Sequence, residues 1–158
     1  CDSMTVFENV AVPLKERRRA LSAAQRSERV VAMLDSLGLA DAQHRLPAEL
    51  SGGKRKRVGL ARALILEPKI VLYDEPTTGL DPITTASVDS MIKEAKDAHG
   101  VTSVVISHDI ASAFAVADQV AFLHEGSVVE VGPPSRFRRA THPAVKEFLG
   151  SWFAERPE

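Results

Sequence analysis

Two short apolar runs, each stopping on polar residues, constrain this chain more than any other feature. Ile70-Val71-Leu72-Tyr73 ends at Asp74-Glu75, and Val101 to Ile106 ends at Ser107-His108. A short apolar run without polar alternation is the pattern of a strand buried on both faces. Between the two, Asp81-Pro82 offers an N-cap and a proline at the first helical position. Ile83, Val88, Met91, Ile92 and Ala95 then recur at helical spacing up to His99-Gly100. Strand, helix and strand at this separation predict a right-handed βαβ unit with parallel strands. The fold class is α/β.

The flanking segments are read the same way. Ser22 and Gln25 fit a capping box, and Val30, Val31, Met33, Leu34 and Leu37 follow with helical period. Gly38 and Leu39 then have the pattern of a Schellman stop. A second helix is predicted from about Lys54 to Leu66, ended by Pro68, with Val58, Ala61, Leu64 and Ile65 on one stripe. Downstream, a short helix over Ile110 to Ala117 precedes Val120 to His124 and Val128 to Val131, joined through Glu125-Gly126 as a hairpin. Gly132-Pro133-Pro134 breaks the chain before a helical tail. The expected organisation is a helical part over 1–67, a sheet-containing core over 68–133 and a tail over 134–158.

Composition narrows the classes. Twenty Lys and Arg against 21 Asp and Glu give a net charge of −1, a balance that supplies no overall field to gather nucleic acid or anionic lipid. One cysteine excludes an internal disulfide framework and suits a reducing compartment. No apolar run approaches the roughly 20 residues of a membrane helix, and no signal-peptide pattern is present. The chain begins with Cys1, as a mature lipoprotein would, but without a lipobox, and a truncated chain is the expectation. Lys15 to Arg19 and Lys54 to Arg57 read as solvated helix faces. His44, His99, His124 and His142 have no metal-ligand spacing and read as surface residues. Cys1 has no base partner in view, and Trp152 reads as a packing residue.

In open parallel sheets, ligands bind beyond the carboxyl ends of the strands. Asp74 and Glu75 end one predicted strand and His108 ends the next, so two acids and a histidine are expected at one edge of the sheet. Asp74 can hold Mg²⁺, directly or through water, because a hard cation prefers oxygen ligands. Glu75 can polarise the water that attacks a γ-phosphate, and His108 can donate to that phosphate. Taken alone, the acids could equally be a polar strand end. Leu50-Ser51-Gly52-Gly53 changes the balance. A serine and two glycines just before a helix expose backbone N–H groups at the positive end of its dipole, where an anion is favoured.

With these residues in hand, the chain resembles the ATPases of ABC transporters, with their P-loop NTPase type of fold. Leu50-Ser51-Gly52-Gly53 looks like the ABC signature, Ile70 to Glu75 like the Walker B strand with its catalytic glutamate, Gly79-Leu80-Asp81 like the D-loop, and His108 like the switch histidine. All four occur in the family's order. The resemblance implies an ATP-binding subunit that dimerises head to tail and couples to a transmembrane permease, lying on the cytoplasmic face of a bacterial membrane that it touches only through that permease. It implies ATP and Mg²⁺ as cofactors. It also implies that Ser51, Gly52 and Gly53 reach nucleotide held by the other subunit, that Asp74 positions Mg²⁺, that Glu75 and His108 are catalytic, and that Asp81 lies at the dimer seam. No nucleic-acid partner is expected.

Two departures stand out. The signature's fifth position, often Gln in the family, is Lys54. No Gly-x-x-x-x-Gly-Lys-[Ser/Thr] loop occurs in the 158 residues, and Gly52-Gly53-Lys54 is followed by Arg55 where the Mg²⁺-binding hydroxyl should stand. The loop and the family's Q-loop glutamine would lie upstream of Cys1. Asp2 to Val10 resembles the stretch after the Q-loop. Arg57 to Leu64, Tyr73, Asp81 to Thr84, Ser112-Ala113-Phe114 and His142-Pro143 through Phe148-Leu149 look most like the ATPases of Mce/Mla-type lipid transporters. The alternatives are an ATPase for another solute, a nucleotide-incompetent interaction module, and a soluble ABC protein acting on nucleic acid or ribosomes. The last usually carries two nucleotide domains or long insertions, which this length does not accommodate.

Overall fold

A computed structural model describes residues 3–154. The readings placed on Cys1 and Asp2 fall outside that range. The chain forms two compact units, Cys1–Ile106 and Ser107–Glu158.

The first unit is built on three helices whose starts are fixed by side-chain caps. Helix α1 (Val6–Arg17) begins at Thr5, whose hydroxyl accepts from the Glu8 N–H while the Glu8 carboxylate accepts from the Thr5 N–H. Helix α2 (Ala23–Ser36) repeats the device with Ser22 and Gln25, as the sequence predicts. Its end is the predicted Schellman stop: Gly38 sits at φ 66°, Leu39 N–H donates to the Leu34 carbonyl and Gly38 N–H to that of Asp35. Helix α3 (Gly52–Leu64) starts two residues earlier than the hydrophobic stripe suggests, because Ser51 caps it. These helices pack on one another through Val6, Val10 and Leu14 of α1, Val30 and Leu34 of α2, and Val58, Ala61 and Leu64 of α3, all at most 5% exposed.

Beyond α3, Glu67 adopts φ 56° just before Pro68, which turns the chain into β1 (Ile70–Asp74). Helix α4 (Pro82–His99) and β2 (Thr102–Ile106) complete the βαβ unit. The strands pair in parallel from Ile70↔Thr102 to Asp74↔Ile106. The helix stops at Gly100, at φ 61°. The expectation of strands buried on both faces is corrected here. Val71 and Tyr73 are covered by the helical layer with Val88, Met91, Ile92 and Ala95 of α4 behind them. Ile70, Leu72, Val104 and Ile106 are 58%, 75%, 45% and 60% exposed on the opposite face. The sheet of this unit has two strands with helices on one side, so only alternate residues are enclosed. Ile83, assigned by period to the buried stripe of α4, is instead 84% exposed in its first turn.

The second unit holds α5 (Ile110–Val116), β3 (Val120–His124), β4 (Ser127–Gly132), α6 (Pro134–Phe137) and α7 (Pro143–Ala154). The hairpin turns at Glu125 and Gly126, both at positive φ, the geometry of a two-residue turn matched to strand twist. Phe137, Ala140, Val145 and Leu149 form its core, against Ile110, Phe114, Val120 and Phe122. Trp152 packs edge-on to Phe114 at 5.3 Å, as a packing residue should. His142 is half-buried with a solvent-shielded Nδ1, its ring 6.1 Å from that of His124, so it is not the surface residue expected.

Candidate functional site

Ser51 stands at φ −62°, ψ 159°, and its Oγ accepts from the Lys54 N–H at 3.4 Å. Gly52 and Gly53 occupy the first two positions of α3, where backbone N–H groups have no partner within the helix. The fold itself does not demand glycine at either position. Both are helical without positive φ, and a Cβ added at Gly53 would lie 3.9 Å from Thr84 Cγ2, an ordinary contact. At Gly52 it would lie 4.0 Å from Leu80 Cδ2. Two glycines at the start of a helix weaken it relative to alanine, so packing within the described chain does not account for their use.

The same distances place the Ser51-Gly52-Gly53 turn against the start of α4. There the Asp81 carboxylate caps two backbone groups, accepting from Ile83 N–H and Thr84 N–H at 3.0 Å, and from the Thr84 hydroxyl at 2.6 Å. The Thr84 hydroxyl, followed by the backbone donors, holds the Asp81 carboxyl below its ordinary 3.8. Two capped helix starts are therefore neighbours, with Ile83 exposed beside them.

Asp74 and Glu75 sit at the carboxyl end of β1, as predicted. Asp74 is exposed and lines a cleft of about 190 Å³ with Lys56, Leu60 and Pro76. Glu75 is the informative residue. Its N–H donates to the Ile106 carbonyl at 2.9 Å, which ties it to the end of β2, and its backbone is left-handed at φ 46°. A glutamate in that region costs on the order of 1 kcal/mol, as it does in the turns at Glu67 and Glu125, and what sets Glu75 apart is its place beside Asp74 at the strand end with its side chain held too. Its carboxylate accepts from the Thr78 hydroxyl at 2.9 Å, so the side chain is aimed as well as the backbone. His108 is exposed and follows β2 by two positions, within the second unit.

Lys54 has a definite place. Its Nζ donates to Asp41 Oδ2 at 2.8 Å, holding that carboxyl low, and Asp41 lies in the short 3₁₀ turn Ala40–Ala42 after α2. Arg57, also in the basic run, donates to the Leu37 carbonyl at 3.3 Å and lies 3.8 Å from Glu94. With Arg55, which donates to the Leu50 carbonyl, three of the four cations of that run are engaged rather than simply solvated. Sequence reasoning missed Thr78, Thr84 and Asp41 as supporting residues. The two threonines each follow the acid they serve by three positions, a local signal, whereas Asp41 is 13 residues from Lys54 and carries none.

Asp74 and Glu75 suit a hard cation of which substrate oxygens and water complete the shell, since two carboxylates at one strand end are a usual protein share of such a site. Among the described residues there is no group of three or more His, Cys, Asp or Glu that could hold a metal by itself.

Residues 1–78 match the family model described as ABC transporter. The chain is 44% identical over 148 residues to a methionine import ATP-binding protein, MetN 1, of Pseudomonas fluorescens, covering 93% of this chain and 44% of that protein. It is 40% identical over 146 residues to the intermembrane phospholipid transport system ATP-binding protein MlaF of Escherichia coli, covering 92% and 54%. Among solved structures, CbiO1 of Clostridium perfringens, part of an ABC transporter complex, is similar with a TM-score of 0.79 at 28% identity, covering 98% of this chain and 59% of that one. The chain spans about half the length of the curated relatives it matches.

Proposed function

We propose a function that proceeds from one premise: this chain belongs to the ABC transporter family of ATP-binding proteins. The whole protein binds and hydrolyses ATP with Mg²⁺ and couples head-to-tail dimer closure to a membrane permease. The observation that carries this reading is the strained, doubly held Glu75. As general base it accepts a proton from a water aligned on the γ-phosphate, and Thr78 fixes the carboxylate for that role. Asp74 positions the Mg²⁺, which when bound neutralises phosphate charge. His108 donates to the γ-phosphate. Ser51, Gly52 and Gly53 offer hydroxyl and backbone donors to nucleotide held by the opposite subunit, and Asp81, with Ile83 exposed beside it, lies at the seam between subunits.

The transported substrate is a phospholipid, a reading supported by the similarity to MlaF and by the motif likeness along the chain. The 44% identity to a methionine import protein favours a second reading, a small-solute importer. Substrate-stimulated ATPase activity with the cognate permease distinguishes them.

The trans role of Ser51 is tested by mixing Ser51→Arg subunits of the full-length protein with wild-type ones. Arginine places a bulky cation where phosphate must approach the start of α3. Monomer ATP binding should survive, while closure and turnover fall roughly 100-fold, the loss of an oxyanion-type donor. Glu75→Gln should instead leave ATP bound and the dimer closed. Loss of ATP binding by the Ser51→Arg monomer would make Ser51 part of a local site. No effect at all would leave the turn as a helix cap and favour the interaction-module reading.

A further inference from the structure

We infer that the turn between α1 and α2 is a docking surface for an anionic phospholipid membrane. The balanced total charge conceals a segregation. Over residues 15–27, Lys15, Arg17, Arg18, Arg19 and Arg26 face a single acid, Glu16, a net of +4 within a chain whose total is −1. Every residue from Lys15 to Ala20 is exposed. Several other cations of the same unit are engaged, Lys54 with Asp41, Arg57 with Glu94 and Arg29 with Glu67, and within the segment itself Arg26 donates to the Leu21 carbonyl. Arg17, Arg18 and Arg19 have no side-chain partner among the described residues. Helix capping accounts for little of this, since Lys15 and Arg17 in the last turn of α1 would already complement its dipole.

The kind of partner follows from what the turn lacks. No large apolar residue is exposed between Lys15 and Arg29, so the surface offers charge without an anchor. Protein interfaces combine arginine anchors with buried aromatic or apolar ones, and this turn exposes arginines without the latter. A lipid leaflet needs only cations held near it, each contributing a several-fold gain in partitioning. This contact is direct, in addition to contact through a permease, and it rests on the proposed function only for its setting.

The test is sedimentation of full-length protein with nucleotide-free vesicles, either pure phosphatidylcholine or with a third of phosphatidylglycerol. Phosphatidylglycerol vesicles should bind it and high salt should release it. Arg17→Gln, Arg18→Gln and Arg19→Gln together should lower partitioning roughly 100-fold. The same three positions as Lys should retain binding, which excludes misfolding as the cause. Equal binding of the Gln variant, or equal binding to both vesicle types, overturns the inference. So does a Gln variant that binds vesicles normally but loses its permease, which would assign the turn to an acidic protein segment. ATP turnover plays no part in the readout, so failure of the ATPase reading would leave this result interpretable.

Discussion

Gly53 shows how a residue can be explained by what the fold does not need. Its backbone is helical, its missing Cβ would touch only Thr84 at ordinary distance, and alanine is the better helix former by up to about 1 kcal/mol. Gly53→Ala should therefore leave the thermal midpoint unchanged or slightly raised, while ATP turnover by the full-length protein drops at least about tenfold from lost close approach. Parallel thermal melts and steady-state ATPase assays check both halves, and a large loss of stability would return the glycine to a purely structural role. The cap at Ser51 and the acids at Asp74 and Glu75 were readable because each depends on neighbours within a few positions. The left-handed backbone of Glu75 was not readable, because nothing in Tyr-Asp-Glu-Pro signals positive φ for a glutamate. That conformation is imposed by the Ile106 carbonyl, 31 positions away in sequence, which holds the Glu75 N–H.

At the scale of elements, the βαβ unit was legible because its three pieces are bounded by strong local signals: Pro68, Asp81-Pro82 and Gly100. Which strand faces are covered was not legible, because a continuous apolar run looks the same whether one or two layers lie against it. On the covered face, β1 and β2 bring together two buried oxygens, Tyr73 Oη and Ser103 Oγ, neither of which makes a hydrogen bond of good geometry. Burial raises the Tyr73 hydroxyl above its ordinary 10.0, with Ser103 offsetting part of the effect. A folded-state value above the unfolded one means that the stabilisation is complete below pH 10.0 and is lost as pH climbs through the raised folded value. Tyr73 is the sole tyrosine, so tyrosinate absorbance reports it alone. The native titration should run above the urea-unfolded one. Tyr73→Phe should flatten the alkaline loss of stability and leave stability at neutral pH equal or up to about 1 kcal/mol higher, since an unsatisfied hydroxyl is removed.

At the scale of the whole molecule, the groups proposed for hydrolysis and for trans contact are present, while nothing in the 158 residues has the sequence of a loop that wraps β- and γ-phosphates. Positioning is most of phosphoryl-transfer catalysis, and a base aimed at a phosphate that is not gripped gains little from its aim. The apolar face of β1 and β2 adds a second reason. Ile70, Leu72, Val104 and Ile106 present a contiguous exposed apolar strip, so the 158-residue chain by itself should self-associate and bind an apolar fluorescent dye. The prediction is that this chain, purified alone, hydrolyses no measurable ATP and retains almost none in equilibrium dialysis with Mg²⁺, whereas the full-length protein does both. A Mg²⁺-dependent turnover by the isolated chain that vanishes in Glu75→Gln would show that phosphate can be held without such a loop. Turnover that persists in Glu75→Gln would show a contaminating ATPase and leave the expectation in place, so the paired assay decides the matter.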